Sequence, residues 1–173
     1  MSAKAKTEIN SGFRPGSIGQ IIDMHGRYYA RAWDMGLAFE IGVANGLTVF
    51  AERYDAKTDL VLLGLQGERI VASLIVDAND PDGDRWIQGM PRAHLRYFIR
   101  DESARGGGIG SMMMKQAMDH VDAHCAGRCW LTTFAGLDAA RTLYERHGFS
   151  LTHEEAGTTW ARALTEQVFV RDT

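Results

Sequence analysis

Ile18, Ile21, Ile22, His25, Tyr28 and Tyr29 fall three and four residues apart, the spacing of an amphipathic helix with one buried stripe. Pro15-Gly16 marks a turn ahead of it, and Ser17 followed by Gln20 reads as a capping box. A second stripe, Phe39, Val43, Leu47 and Phe50, predicts another helix with Glu40 and Asn45 off the apolar side, although Gly42 and Gly46 weaken the pattern. From Leu60 the period changes. Leu60 to Leu65 and Ile70 to Val76 are β-rich runs on either side of Gln66-Gly67-Glu68-Arg69, which predicts a hairpin. A polar loop follows over Asn79 to Asp84, then a strand over Arg92 to Arg100 with Leu95, Phe98 and Ile99 as its apolar side.

Arg105-Gly106-Gly107-Gly108-Ile109-Gly110-Ser111 leads into a helix whose stripe is Ile109, Met112, Met113, Ala117 and Val121. Cys129 to Phe134 reads as a strand, and Asp138 as the cap of a helix through His147. Gly148 and Phe149 then stand where a Schellman ending wants a glycine and an apolar residue. Two weaker strands, Ser150 to His153 and Gln167 to Arg171, complete the chain. This order predicts an α/β class with a mixed sheet, one crossover helix returning a strand parallel to its predecessor. Residues 1–12 lack periodicity and are expected to form a flexible tail, leaving 13–173 as a single domain.

Composition narrows the function. The chain has 173 residues, enough to bury a sizeable core without disulfide or metal staples. Nineteen basic against twenty-two acidic residues offer no basic field, so nucleic acid is not an expected partner. No apolar run is long enough for a bilayer and the opening residues lack the apolar core of a secretory signal, so no membrane association and a cytoplasmic location are expected. Two cysteines, Cys125 and Cys129, suit a reducing compartment. His120, His124, Cys125 and Cys129 match no zinc spacing, and Met112 to Met114 read as adaptable core filler, so no metal is expected.

The glycine loop carries the chemistry. Main-chain N–H groups in such a loop, backed by a helix N-terminus and flanked by Arg105, suit phosphate oxygens. A P-loop would need lysine after Gly110, where Ser111 stands, and the dinucleotide pattern G-x-G-x-x-G fails at Ser111 in one frame and Met113 in the other.

R-x-x-G-x-G, here Arg105 to Gly110, resembles the acyl-CoA loop of the GNAT superfamily of N-acyltransferases. Thr132-Thr133-Phe134 and Ala139-Ala140-Arg141-Thr142-Leu143-Tyr144-Glu145-Arg146-His147-Gly148-Phe149 resemble that superfamily's following strand and helix. Arg14 to Gly19 and His25 to Ala30 are similar to acetyltransferase domains attached to MarR-type regulators, and the likeness runs from about Phe13 to Val170. It implies a sheet splayed near its middle and acetyl-CoA as co-substrate. The arm of acetyl-CoA would pair with main chain at Phe98, Ile99 and Arg100, and its pyrophosphate would sit on the loop Arg105, Gly106, Gly107, Gly108, Ile109, Gly110 and Ser111. Many relatives carry asparagine after the fifth strand, where this chain has Phe134.

Transfer to an amine of pKa about 10.4 demands removal of a proton, stabilisation of charge on the carbonyl oxygen and a partner for the departing thiolate. Tyr144 is the candidate partner of the thiolate, and a backbone amide near Ile99 is the candidate oxyanion donor. His94 is the candidate base, and His25, Tyr29 and Glu40 are candidate acceptor contacts. The expected function is acetylation of a small-molecule amine by direct attack in a ternary complex. A non-catalytic acyl-CoA-binding regulatory module and a protein-lysine acetyltransferase are the alternatives, and a homodimer is left open.

Overall fold

The computed structural model describes residues 6–81 and 93–173. In chain order its elements are β1 (Glu8–Ser11), α1 (Ser17–Trp33), α2 (Leu37–Arg53), β2 (Leu60–Gln66), β3 (Arg69–Asp77), β4 (Ala93–Arg100), α3 (Ile109–His124), β5 (Cys129–Phe134), α4 (Asp138–Arg146), β6 (Ser150–Gly157) and β7 (Leu164–Arg171), with one 3-10 turn at Glu102–Ala104. The strands form one mixed, seven-stranded sheet in the order β1-β2-β3-β4-β5-β7-β6, parallel at β4–β5 and antiparallel elsewhere. This is the expected α/β class. The predicted loop over 79–84 and the start of β4 at Arg92 fall partly outside the described residues.

Helices α1 and α2 cover one face, where Ile21, Leu47 and Phe50 meet Val61, Leu63, Ile75 and Ile99. On the other face Ile109, Met113, Ala117 and Val121 of α3 pack on Leu62, Leu74, Val76 and Leu95, and Tyr144 of α4 joins them. The predicted stripe of α2 is right in every member, since Phe39, Val43, Leu47 and Phe50 are all buried. Its glycines yield to tertiary demands. A Cβ at Gly46 would lie 2.6 Å from the Tyr97 hydroxyl, so glycine there is what lets β4 approach the helix.

Four local expectations are corrected. Glu8–Ser11 is not tail but an edge strand on β2, with Ile9 packed against the core; the pairing is made by main chain, which the polar side chains conceal. Ser17 turns back to Arg14, accepting from its N–H at 2.8 Å and donating to its carbonyl at 2.6 Å, while Gln20 accepts from the Ile70 N–H, so no capping box forms. Asp138 is the first helical residue, with Leu137 at the cap position and no side-chain cap. Strands β6 and β7 run longer than predicted because β6 is an exposed edge that carries His153, Glu154 and Glu155.

Within β4 the alternation breaks once. Ser73 pairs with Ile99 and Ile75 with Arg96, so an extra residue bulges out, and Tyr97 sits at φ 51°. Arg96 and Tyr97 consequently share the α1/α2 face, and Phe98 is returned to the α3/α4 face, where it packs against the core with Leu95. The Ser73 hydroxyl donates to the Tyr97 carbonyl at 2.7 Å and holds the bulge.

The predicted ending of α4 is present. Phe149 N–H bonds the Tyr144 carbonyl at 3.2 Å and Gly148 N–H the Glu145 carbonyl at 3.1 Å, with Gly148 at φ 86° and the Phe149 ring 6.1 Å from that of Tyr144. A Cβ at Gly148 would meet nothing nearer than 3.6 Å, so Gly148→Ala imposes backbone strain alone. It should destabilise the fold by about 1–2 kcal/mol in urea unfolding, with an unchanged denaturant slope.

Candidate active site

Among the described residues, β4 and β5 are registered only at Ala93↔Cys129 and His94↔Trp130. Beyond those pairs the strands part, and a cavity of about 970 Å³ occupies the opening and reaches both faces of the sheet. Asp101 N–H bonds the Val71 carbonyl, so alternation aims Ile99's main-chain groups at β3 and those of Phe98 and Arg100 into the gap. The exposed donors expected near Ile99 are therefore the amides of its two neighbours. Phe98, Ile99 and Arg100 all line the cavity.

The glycine loop closes one end of this opening. Asp101 caps the 3-10 turn through Ser103 N–H, and the Arg105 amide is spent on the Glu102 carbonyl at 3.0 Å, so it does not belong to the expected donor set. Gly106 and Gly108 take left-handed angles of 74° and 70°, and the first amide of α3 to bond back is that of Met112, to Gly108. Among the described residues, the amides of Gly106, Gly107, Gly108, Ile109, Gly110 and Ser111 have no protein acceptor. Arg105, Gly108, Gly110 and Ser111 line the cavity, Gly106 and Gly107 lie on the exposed rim, and the Ile109 side chain is buried in the core. The Arg105 guanidinium extends at the mouth beside Glu102, at 3.6 Å.

Tyr144 enters the same cavity from α4. It is buried among Phe98, Phe149 and Phe169, with ring centroids 6.4, 6.1 and 6.1 Å away. Burial pushes its phenol pKa up, so at neutral pH the group is a hydrogen-bond donor held in a dry setting.

On the α1/α2 face the cavity meets His25, Tyr29, Tyr97 and His94. His25 Nδ1 lies 2.8 Å from the Ile21 carbonyl, which can only accept, so Nδ1 carries the proton and Nε2 the lone pair. The ring stacks beside Tyr29 at 6.2 Å and stands edge-on to Tyr97 at 6.0 Å. Burial lowers the His25 pKa to about 4, against the partial opposition of the Ile21 bond. Tyr29 is raised, by burial first and then by the proximity of Tyr144 and Tyr28. Glu40 is not brought to the cavity. Its carboxylate lies over Gly26 on the outer side of the α1–α2 contact, where a Cβ at Gly26 would be 2.7 Å from Oε2.

His94 sits at the closed end of the opening, stacked on Trp130 with centroids 3.7 Å apart, and its Nδ1 faces Asp80. Burial lowers its pKa although the Asp80 bond acts the other way. Around it runs a network that sequence reading did not find. Arg53 grips Asp77 with both terminal nitrogens, Arg96 Nη1 reaches Asp77 and Asp80 at 3.3 and 3.2 Å, and Arg96 Nη2 donates to the Tyr97 hydroxyl at 3.1 Å. The ion-paired partners lie 16 to 24 residues apart, on α2, β3, β4 and the turn after β3, so no local spacing announces them.

The Phe134 ring turns to the α1/α2 face, 4.7 Å from Trp33 and 6.0 Å from Tyr29, away from the glycine loop. His120 Nε2 bonds the Thr58 carbonyl, and the described residues hold no group of three or more His, Cys, Asp or Glu arranged for a metal ion. No helix among them is long and apolar enough to cross a membrane.

Because His25 stays neutral in the fold to about pH 4 while the unfolded chain's imidazole protonates near 6.5, the stability it contributes is complete above 6.5 and is lost as pH falls toward 4. The loss over that window is on the order of 3 kcal/mol. Urea unfolding of wild type and His25→Gln at pH 4.5 and 7.5 should show the smaller pH dependence in the variant; equal slopes would contradict the burial argument.

A sequence model described as the acetyltransferase (GNAT) family matches residues 20–149. Comparison with curated protein sequences finds no match. Among solved structures, a protein of Pyrococcus horikoshii OT3 aligns with TM-score 0.71 at 16% identity, covering 96% of this chain and 99% of that one. An acetyltransferase from Streptococcus agalactiae 2603 gives 0.69 at 16% identity over 96% and 98%. A ribosomal-protein-alanine N-acetyltransferase from Brucella melitensis gives 0.71 at 15% over 96% and 99%. At these identities the likeness is one of fold.

Proposed function

The chain belongs to the acetyltransferase (GNAT) family, and from that premise we propose that it transfers the acetyl group of acetyl-CoA to the amino group of a small-molecule acceptor by direct attack, with both substrates bound at once. The observation that carries the reading is the row of unpaired amides from Gly106 to Ser111 at one end of a splayed sheet, with Tyr144 buried in the same cavity. Those donors and the positive end of α3 suit a pyrophosphate. Main-chain groups of Phe98 and Arg100 are placed to pair with an amide-bearing arm lying in the gap. Acetyl-CoA, when bound there, supplies the acetyl group already activated as a thioester.

Each remaining task has a residue. An alkyl amine with a pKa of about 10.4 is almost wholly protonated at pH 7, so a proton must leave before attack. His94, with Nδ1 turned to Asp80, presents Nε2 as the acceptor, and its lowered pKa keeps that lone pair available at neutral pH. An amide facing the gap from β4 stabilises negative charge on the carbonyl oxygen. Tyr144 donates a hydrogen bond to the departing sulfur. With its pKa raised above an ordinary phenol, full proton transfer to a thiolate of pKa about 8.5 is costly, so the phenol acts by hydrogen bonding.

Tyr144→Phe should lower kcat by about 10- to 100-fold with little change in the calorimetric affinity for coenzyme A. Thiol release from acetyl-CoA over an amine panel reads the first quantity; unchanged turnover would remove Tyr144 from the chemistry. Tight coenzyme A binding with no turnover on any amine would instead mark a non-catalytic binding module.

A further inference from the structure

We infer that the acceptor is a primary amine borne on an aromatic or comparably flat apolar group, received by a box of rings closed by one buried carboxylate. The inference rests on the reading that the cavity admits an amine, and it names that amine's class. The box draws on separate parts of the chain: Tyr29 and Trp33 from α1, Phe39 from α2, Phe134 from β5 and Trp160 from the β6–β7 connection, all lining the cavity. Tyr29 lies 4.8 Å from Phe39, and Phe134 is 4.7 Å from Trp33 and 5.8 Å from Trp160. These pairs are tilted or edge-on, with Phe39 and Phe134 buried behind the half-buried Tyr29, Trp33 and Trp160, whose remaining ring surface is what a flat ligand would meet.

The box is built into the fold. Trp33 lies over Gly136, where a Cβ would be 2.5 Å from the indole, and Arg162 donates to the Trp33 carbonyl, tying the β6–β7 connection to the end of α1. A hydroxyl-rich or multiply charged acceptor would lose its hydration against these walls with few partners in return. An apolar ring loses nothing of the kind.

Glu166 supplies the polar handle. It stands across from Phe134 in the β5–β7 ladder, is 7% exposed, and lines the cavity. Its carboxylate accepts from Thr159 N–H at 2.6 Å and from the Thr159 hydroxyl at 2.9 Å. Among the described residues no lysine, arginine or histidine forms an ion pair with it. A buried carboxylate with two neutral donors and aromatic neighbours retains acceptor sites that an ammonium can fill. The acceptor's own positive charge is the counter-ion that the described residues do not provide, and the rings add cation–π attraction on entry.

The test is calorimetry on the full chain saturated with coenzyme A, titrated with tryptamine, 2-phenylethylamine, butylamine, 1,4-diaminobutane and a blocked lysine amide, with thiol release from acetyl-CoA measured in parallel. The two arylalkylamines should bind about 10-fold or more tightly than butylamine. Glu166→Gln should abolish the preference for 2-phenylethylamine over neutral 2-phenylethanol. Trp160→Ala, at a half-buried position that can be truncated without opening the core, should erase the preference for aromatic over aliphatic amines. Binding of butylamine, the diamine or the lysine amide as tightly as the arylalkylamines, or of no amine at all, overturns the inference. Aromatic binding without thiol release from any amine leaves the box standing and removes the transferase reading; turnover that favours aliphatic amines does the reverse.

Discussion

Between β4 and β5 the ladder makes two registered pairs and then stops, and the site depends on that interruption. Buried main-chain groups are almost always paired, so strands that part inside a sheet must hand their unmet donors and acceptors to water or to a ligand. The bulge at Tyr97 resets the alternation in β4, so that Arg96 and Tyr97 both serve the α1/α2 face while Phe98 reaches Tyr144 on the other. One irregular residue thus gives a single strand two working faces, one toward the glycine loop and one toward the ring box.

Such a strand needs bracing, because a non-glycine residue in left-handed backbone is strained. The brace comes from several directions. Ser73 holds the Tyr97 carbonyl, Arg96 holds its hydroxyl, His25 stands against its ring, and Gly46 on α2 leaves the space into which the hydroxyl fits. Asp77 and Asp80 in turn fix Arg96, with Arg53 neutralising Asp77, which is fully buried. Truncating one member of such a network leaves a buried charge unpaired, which costs more than the pair itself contributes. The network therefore reads as positioning for the bulge and for His94, whose ring shares Asp80.

The elements legible in the sequence were those with a local cause. The stripe of α2, the hairpin around Gly67 and the Schellman turn at Gly148-Phe149 follow from side-chain periodicity or from one residue's backbone freedom, and the structure has all three. The glycine loop was legible for the same reason. What escaped was set by partners distant in sequence. β1 exists because β2 offers a free edge, the Arg53–Asp77–Arg96–Asp80 network because three elements meet, and the ring box because Trp33, Phe134 and Trp160 converge from separate segments. Glu40 was misplaced because a helical stripe says which side is buried, not which neighbour covers the other. In the sequence Phe134 is only a departure from a familiar asparagine; its packing against Trp33 and Tyr29 is set by the fold.

Burial gives the titratable groups of the cavity a common character. His25 and His94 are pushed down and Tyr29 and Tyr144 up, each chiefly by loss of water, so all four are neutral near pH 7. Groups that stay neutral in a dry setting do not screen charge, so interactions made there with a charge that enters are strengthened. Two places favour opposite charges: the free amides of the glycine loop suit an anion, and the Glu166 carboxylate at the ring box suits a cation. The loop lies beyond the carboxyl end of β4, and Glu166 sits in the ladder beside the last residue of the parallel β5, so the gap between the diverging strands lies between the two. The loop draws an anionic donor, and Glu166 draws the acceptor's ammonium, into the same cavity as Tyr144 and the main chain of Phe98 to Arg100. The splay of the sheet, the free amides of the loop and the Glu166 carboxylate together meet what the proposed reaction asks of a site, a place for an anionic donor and one for a cationic acceptor in a single cavity.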